Sequence, residues 1–262
     1  MMRQTRMFTT LLFSAALPAA LWGQNGNSAA NGCGSLPSYS ELKTALDSAV
    51  ADESLGLDND MWGTIVDRDG VVCAVAFSGA GRGSQWPGSR AIAAQKANTA
   101  NAFSLDGKLA LSTANLYSAV QPGGSLYGLQ ASNPVDTDVA YKGPSSKYGT
   151  KSDPMVGEKI GGVNVFGGGL ALYNSAGKVV GAVGVSGDTS CADHRIGWRV
   201  RHNLNLDHLS TLAIPITGNA MYPDTMIFDI VGGVSTSGFG HPHCLTVALD
   251  GDPAALPLPP VQ

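Results

Sequence analysis

The stretch GGLALYNSAGKVVGAVGVSG, residues 168–187, constrains this chain more than any other. Two apolar, β-prone runs, Leu170 to Tyr173 and Val179 to Val185, flank the turn sequence Asn-Ser-Ala-Gly, and such runs satisfy their backbone groups by pairing as a hairpin. A second case lies upstream. Trp62 to Val66 and Val71 to Phe77 flank Asp67-Arg68-Asp69-Gly70, whose Asp-Gly pair suits a tight turn. Two hairpins in one chain predict a central antiparallel sheet.

Helical patterns lie around the hairpins. Ser38-Tyr39-Ser40-Glu41 has the Ser-x-x-Glu form of a capping box, and Leu42, Ala45, Leu46, Ala49 and Val50 then recur at helical spacing up to Gly56. Residues 89–103 are rich in alanine and free of Gly and Pro, which predicts a second helix. Ile196, Val200 and Leu204 mark the buried face of a third, starting near Asp193, while His194, Trp198 and His202 form another stripe that faces solvent or a partner. The expected class is α/β in the α+β sense: a central antiparallel sheet of two hairpins flanked by helices. Residues 121–130 read as a loop broken by Pro122-Gly123-Gly124, and 133–162 as a long surface excursion. Residues 209–262 read as an irregular C-terminal extension that wraps the domain, pinned by Cys244, with a flexible end.

The N-terminus carries Arg3 and Arg6, then an apolar run from Met7 to Leu21 and a polar Gly/Asn/Ser segment. This reads as a secretory signal peptide over 1–23, cleaved between 20 and 30, and the run is short for a membrane span. Loss of two arginines and no acids takes the formal charge from −4 to −6, which leaves no electrostatic footprint for nucleic acid. In an exported chain, Cys33, Cys73, Cys191 and Cys244 are expected to form two disulfides, with Cys191 paired to Cys244 or Cys33. No Cys-x-x-Cys-His motif is present for covalent haem.

The segment from Gly184 to Trp198 offers three chemistries. Ser186 is followed by Gly187 and Asp188, so the second glycine of a Gly-x-Ser-x-Gly nucleophile elbow is missing. Capping by Asp188, Thr189 or Ser190 explains the polar cluster without catalysis. A metal could draw on Cys191 and His194, or on His241, His243 and Cys244, but these lack the paired spacing of structural zinc and an oxidising compartment favours disulfides, so no metal site is assigned.

The order of a capped helix, VDRDG (66–70), AAQKANTA (93–100), PGGSLYGL (122–129) and VVGAVGVSG (179–187) resembles the GlcG-type haem-binding or haem-degrading domain, over roughly Tyr39 to Leu204 within an expected domain of 38–208. The resemblance implies a helix-flanked antiparallel sheet, assembly into homo-oligomers and, in some members, binding of haem or a related tetrapyrrole. A haem site needs an apolar slot, cations near the propionates and an axial donor. The residues that answer to this are Arg90, Lys96 and Thr99 on the second helix, Gly123, Gly124 and Tyr127 in the glycine loop, and His194 as axial donor. A solvated Lys96 and a Thr99 packed on the sheet are the plainer alternative. The reading is an exported, periplasmic or secreted protein that binds haem or another small ligand and has no membrane span. An enzyme of the same family, degrading haem or transforming a metabolite around Lys96 and Asp193, or a ligand-free accessory oligomer, are the competing readings.

Overall fold

The two hairpins join edge to edge. In the computed structural model, which describes residues 32–212, 214–245 and 258–262, β1 (Trp62–Asp67) and β2 (Val72–Phe77) form one antiparallel pair and β3 (Gly169–Tyr173) and β4 (Val179–Ser186) the other. β1 pairs with β4, giving a four-stranded antiparallel sheet in the order β2-β1-β4-β3. The expected signal segment lies outside the described residues.

Helix α1 (Tyr39–Ala51) opens with the capping box expected of Ser38 and Glu41. Helix α2 (Ser89–Ala102) follows the first hairpin, and three short helices, α3 (Tyr117–Val120), α4 (Leu129–Ser132) and α5 (Thr137–Ala140), punctuate the segment between α2 and β3. Helix α6 (Ser190–Asn203) starts three residues earlier than Asp193, because Thr189 is its cap and accepts from the Ala192 amide at 3.2 Å. Asp188 does not cap it. Its carboxylate turns away to accept from the amides of Leu57 and Asn59 and so holds the loop before β1.

Side-chain alternation assigns the two sheet faces. Gly184 of β4 meets α2 so closely that a Cβ there would lie 1.9 Å from the Ala93 carbonyl oxygen, so only glycine permits this helix-to-sheet approach. Val66, Val75 and Ala182 pack on the alanines of α2 on that face. Ile65, Leu170, Val183 and Val185 face the other way, toward Leu42 and Leu46 of α1 and Ile196 and Val200 of α6.

The excursion at 133–162 covers the free edge of the sheet. Val72 of β2 donates to the Glu158 carbonyl at 2.8 Å and accepts from the Gly157 amide at 2.9 Å, pairing a strand edge that would otherwise template association. Disulfides join Cys33 to Cys73 and Cys191 to Cys244, which resolves the choice left open for Cys191.

The described part of the C-terminal extension includes a small hairpin of β5 (Ile230–Val231) and β6 (Val234–Ser235), and other residues of it lie against α6. Trp198 Nε1 donates to the Pro259 carbonyl at 2.9 Å, the Tyr222 ring packs at a tilt against Trp198, and Arg201 forks onto Asp224. The chain's own extension therefore covers Trp198 of the second stripe, whereas His202 stays half-buried beside Asp207. Its end is tethered, contrary to the expected flexible tail: Val261 donates to Met221 and Gln262 to Asp207. Among the described residues, no helix is long and apolar enough to cross a membrane.

Candidate functional site

The residues singled out on α2 point in different directions. Arg90, at the N-terminal end, is buried. Its Nε donates to Asp153 Oδ2 at 2.8 Å, Nη2 to Asp153 Oδ1, and Nη1 to the Ala140 carbonyl at 2.7 Å, while its guanidinium carbon lies 3.6 Å from the centroid of the Tyr148 ring. A planar fork matches both the carboxylate and the ring face. Asp153 also accepts from the amides of Gly149 and Met155, so one buried ion pair shapes the whole 140–155 turn.

Lys96 lies 1% exposed at the end of β4. Its Nζ donates to Asp193 Oδ2 at 2.6 Å and to the Val185 carbonyl at 3.2 Å, with the Ser186 hydroxyl at 3.4 Å. Asp193 Oδ1 accepts from the amides of Gly187 and Asp188. Burial pushes the Asp193 carboxyl up to about 6, partly opposed by Lys96, and pushes the Lys96 ammonium down, partly opposed by Asp193. Ser186 is buried here and donates to Asp193 at 3.3 Å, which is a structural bond in the strand-to-helix junction.

His194, 1% exposed, is neighbour to Asp193 in sequence but is turned elsewhere, with its ring 6.2 Å from that of Trp198. Neither ring nitrogen has a hydrogen-bond partner among the described residues. Burial and then the charge of Arg201 push its pKa down to about 3, so it is a neutral imidazole. Thr99 donates to the Gln95 carbonyl and accepts from the Asn164 amide, fixing the return of the chain toward β3. Gly123 supplies positive φ for the turn after α3, and Gly124 approaches the Ala119 carbonyl so closely that a Cβ would lie 2.3 Å from it. Tyr127 is 69% exposed. These residues do not converge on one slot.

What does converge is an aromatic cleft beside Trp62, the first residue of β1, whose register partner on β4 is Ser186. Trp62, Tyr141 and Tyr148 wall a cavity of about 550 Å³, with Pro87 on its floor and Arg82 among its lining residues. Trp62 is fixed by donation from its Nε1 to the Trp86 carbonyl at 3.0 Å and by edge-on packing against Phe77. Gly149, at φ +70°, sits against that aromatic pair, where a Cβ would lie 2.2 Å from Phe77. The Tyr148 hydroxyl donates to the Tyr141 carbonyl at 3.0 Å. Tyr141 is 68% exposed, and among the described residues Arg82 has no ion pair. Of the residues expected from sequence, Arg90 alone bears on this cleft, from beneath, as the positioning residue for Tyr148. The Gly-rich run 79–88 between β2 and α2 was the available signal for the rest, since it carries Arg82 and Trp86 between glycines. A second cavity, about 530 Å³ between α1 and the end of α6, is lined by Ser40, Thr44, Ser48 and Asn203 and lacks aromatic walls.

A family whose description is "Haem degrading protein HbpS-like" matches residues 41–199, more than half of the chain. The chain belongs to the HbpS-like haem-degrading family. The matched span runs from the first turn of α1 through most of α6, so it holds the sheet, the cleft and the Lys96–Asp193 pair and leaves the C-terminal extension outside. Among solved structures, the chain is similar to the Klebsiella pneumoniae protein ORFY, at 24% identity over 63% of this chain and 86% of that one, with a TM-score of 0.42. It is also similar to a protein solved as a PduOC:heme complex, at 23% identity over 64% and 91%, with a TM-score of 0.43. A third similar structure is HbpS, at 14% identity over 64% and 89%, with a TM-score of 0.38. No curated protein matches the chain significantly.

A haem can be tested against the cleft of this HbpS-like family member. The cavity volume falls in the range of roughly 300–1,000 Å³ typical of ligand sites, and the half-buried Tyr148 and the exposed Tyr141 offer aromatic surface to a planar ring above the buried Trp62. The Tyr141 hydroxyl and the Arg82 guanidinium supply a phenol of the kind that ligates haem iron and a cation for a propionate. The residues present fit the group.

Proposed function

We propose that this protein binds haem, or another planar tetrapyrrole, in the cleft walled by Trp62, Tyr141 and Tyr148. The observation that carries the reading is the coincidence of three aromatic lining residues and an Arg82 without an ion pair among the described residues in one cavity of about 550 Å³, in a chain of the HbpS-like family. Tyr148 and the buried Trp62 would line the ring's apolar surface, Arg82 would hold a carboxylate, and Tyr141 would offer its phenol to the iron, the role expected from sequence of His194. Bound haem would supply redox-active iron. Arg90 keeps Tyr148 upright from below. Export into an oxidising compartment, periplasmic or extracellular, belongs to the same reading and is supported by the Arg-then-apolar leader and by two disulfides. Self-association into a homo-oligomer is part of it through the family resemblance.

Haemin titration followed in the Soret region tests the site. One equivalent should produce a shifted band, Tyr141→Phe should change the band position, and Arg82→Ala should weaken binding while leaving the band position unchanged. A Soret titration indistinguishable between the wild type and the Trp62→Ala and Tyr141→Phe variants would remove the cleft as the site. Product analysis of the complex under reductant separates binding from degradation.

A further inference from the structure

Outside the cleft, one cluster of soft and nitrogen donors is gathered where the C-terminal extension meets α6. One ligand atom each from Cys191, His241 and Cys244 lie within 4.8 Å of one another. In the structure the two sulfurs are bonded to each other. We propose that this is an exchangeable site: reduced by a dithiol, Cys191 and Cys244 together with His241 bind a soft or borderline divalent cation such as Zn²⁺, which then fastens the extension in place of the disulfide.

The imidazole is already set for a metal. His241 Nδ1 lies 2.6 Å from the Pro242 carbonyl, which can only accept, so Nδ1 carries the proton and Nε2 presents its lone pair. Ligating histidines characteristically donate their other ring N–H to such a carbonyl. Nε2 now receives the Ser190 hydroxyl at 2.8 Å, a proton donor that can rotate away. The sulfurs are favoured as thiolates. The Cys191 amide donates to Cys244 Sγ at 3.0 Å, and Cys191 sits in the first turn of α6, a helix of 14 residues, where the exposed N–H groups stabilise negative charge. Ligand bonds of about 2.3 Å to sulfur and 2.0 Å to nitrogen place tetrahedral donors roughly 3.3–3.8 Å apart, so little movement beyond opening the S–S bond is required. Cys244 is half-buried, which gives a reductant access, whereas Cys191 and His241 are buried.

The steps balance. The dithiol gives up two electrons and two protons, the Cys191–Cys244 bond breaks to two thiols, and the reductant leaves as its own disulfide. The cation then displaces both thiol protons, and water or the Ser190 hydroxyl completes the fourth position.

The test uses the full chain carrying Cys33→Ser and Cys73→Ser, because Cys33, Asp67 and Cys73 form a second group of close donors. The protein is reduced with dithiothreitol, desalted without oxygen and titrated with Co²⁺ alone. The expected result is a near-ultraviolet sulfur-to-cobalt charge-transfer band with tetrahedral visible bands, saturating at one equivalent, displaced by Zn²⁺ and absent from the oxidised protein. Loss of even an outer-shell partner costs about 10–100-fold in metal affinity, so His241→Ala should weaken binding by at least about tenfold, and His241→Cys should restore it with a stronger sulfur band. A reduced protein with native far-ultraviolet dichroism and no such bands overturns the proposal, as do equal titrations of the Cys33→Ser, Cys73→Ser chain with and without His241→Ala. If His241→Ala fails to fold, a His241→Cys protein that folds and leaves Co²⁺ octahedral decides against it.

Discussion

Lys96 Nζ stands 2.6 Å from Asp193 Oδ2, and this one contact ties the helix on one face of the sheet to the helix on the other, at the end of the strand between them. Both side chains are buried, so the pair is bound to its partners more than it stabilises the fold in absolute terms: removing one member strands the other charge. Lys96→Met should therefore cost about 3–5 kcal/mol, and the double variant Lys96→Met with Asp193→Asn clearly less than the sum of the single changes. Urea titrations of the four proteins in this cycle measure it, and additive losses would count against the coupling.

His194 provides a pH signature. Its folded value lies near 3 against an ordinary 6.5, so the unfolded chain takes up a proton that the folded chain refuses. The stability it contributes is complete above about pH 6.5 and is lost as pH falls toward 3, by up to several kcal/mol over the full window. His194→Gln should flatten the decline in unfolding free energy between pH 6.5 and 4. An unchanged slope would mean that another group carries it.

Arg90 is predicted to act on ligand binding through Tyr148. Arg90→Lys keeps the charge but gives up the fork onto Asp153 and the planar contact with the ring. Haemin affinity should fall by roughly tenfold, about 1.4 kcal/mol, with the Soret position unchanged because no iron ligand is altered. A shifted band would place Arg90 in contact with the ligand.

The Cys191–Cys244 bridge spans 53 residues of sequence, and the chain-entropy treatment gives about 4 kcal/mol for closing a loop of that size. Replacing both cysteines by serine should lower the unfolding free energy by a few kcal/mol. The accompanying loss of protection should concentrate in 226–244, where Met226, Phe228 and Cys244 pack around Cys191, and hydrogen exchange on the paired variant reads this directly.

Thr189→Ala should cost about 1 kcal/mol by removing the cap of α6, whereas Asp188→Ala should loosen the 57–59 turn, where it holds the Leu57 and Asn59 amides, and leave the helix start intact. Amide exchange at Leu57 and Ala192 separates the two effects.

The elements themselves were legible because each is a local pattern. The apolar runs at 62–77 and 170–185, the Ser38–Glu41 capping box and the alanine run of α2 specify hairpins and helices within a dozen residues of chain, and the turn and helix motifs carried the family resemblance. Periodicity assigned the buried face of α6 but left its second stripe open between solvent and a partner. At Trp198 the stripe was settled by Pro259 and Tyr222, residues of an aperiodic segment whose path over the helix no local pattern encodes. The same holds for function. Arg90 and Lys96 read from sequence as two cations on one helix, but a carboxylate 63 residues away claims the first and one 97 residues away claims the second. The aromatic cleft is assembled from β1, the glycine-rich 81–88 loop and the 141–148 turn. Short-range sterics and hydrophobic alternation fixed the strands and helices, and the cleft arose only where long-range packing brought irregular loops together, since a loop's position is set by the buried groups that anchor it and not by its own residues.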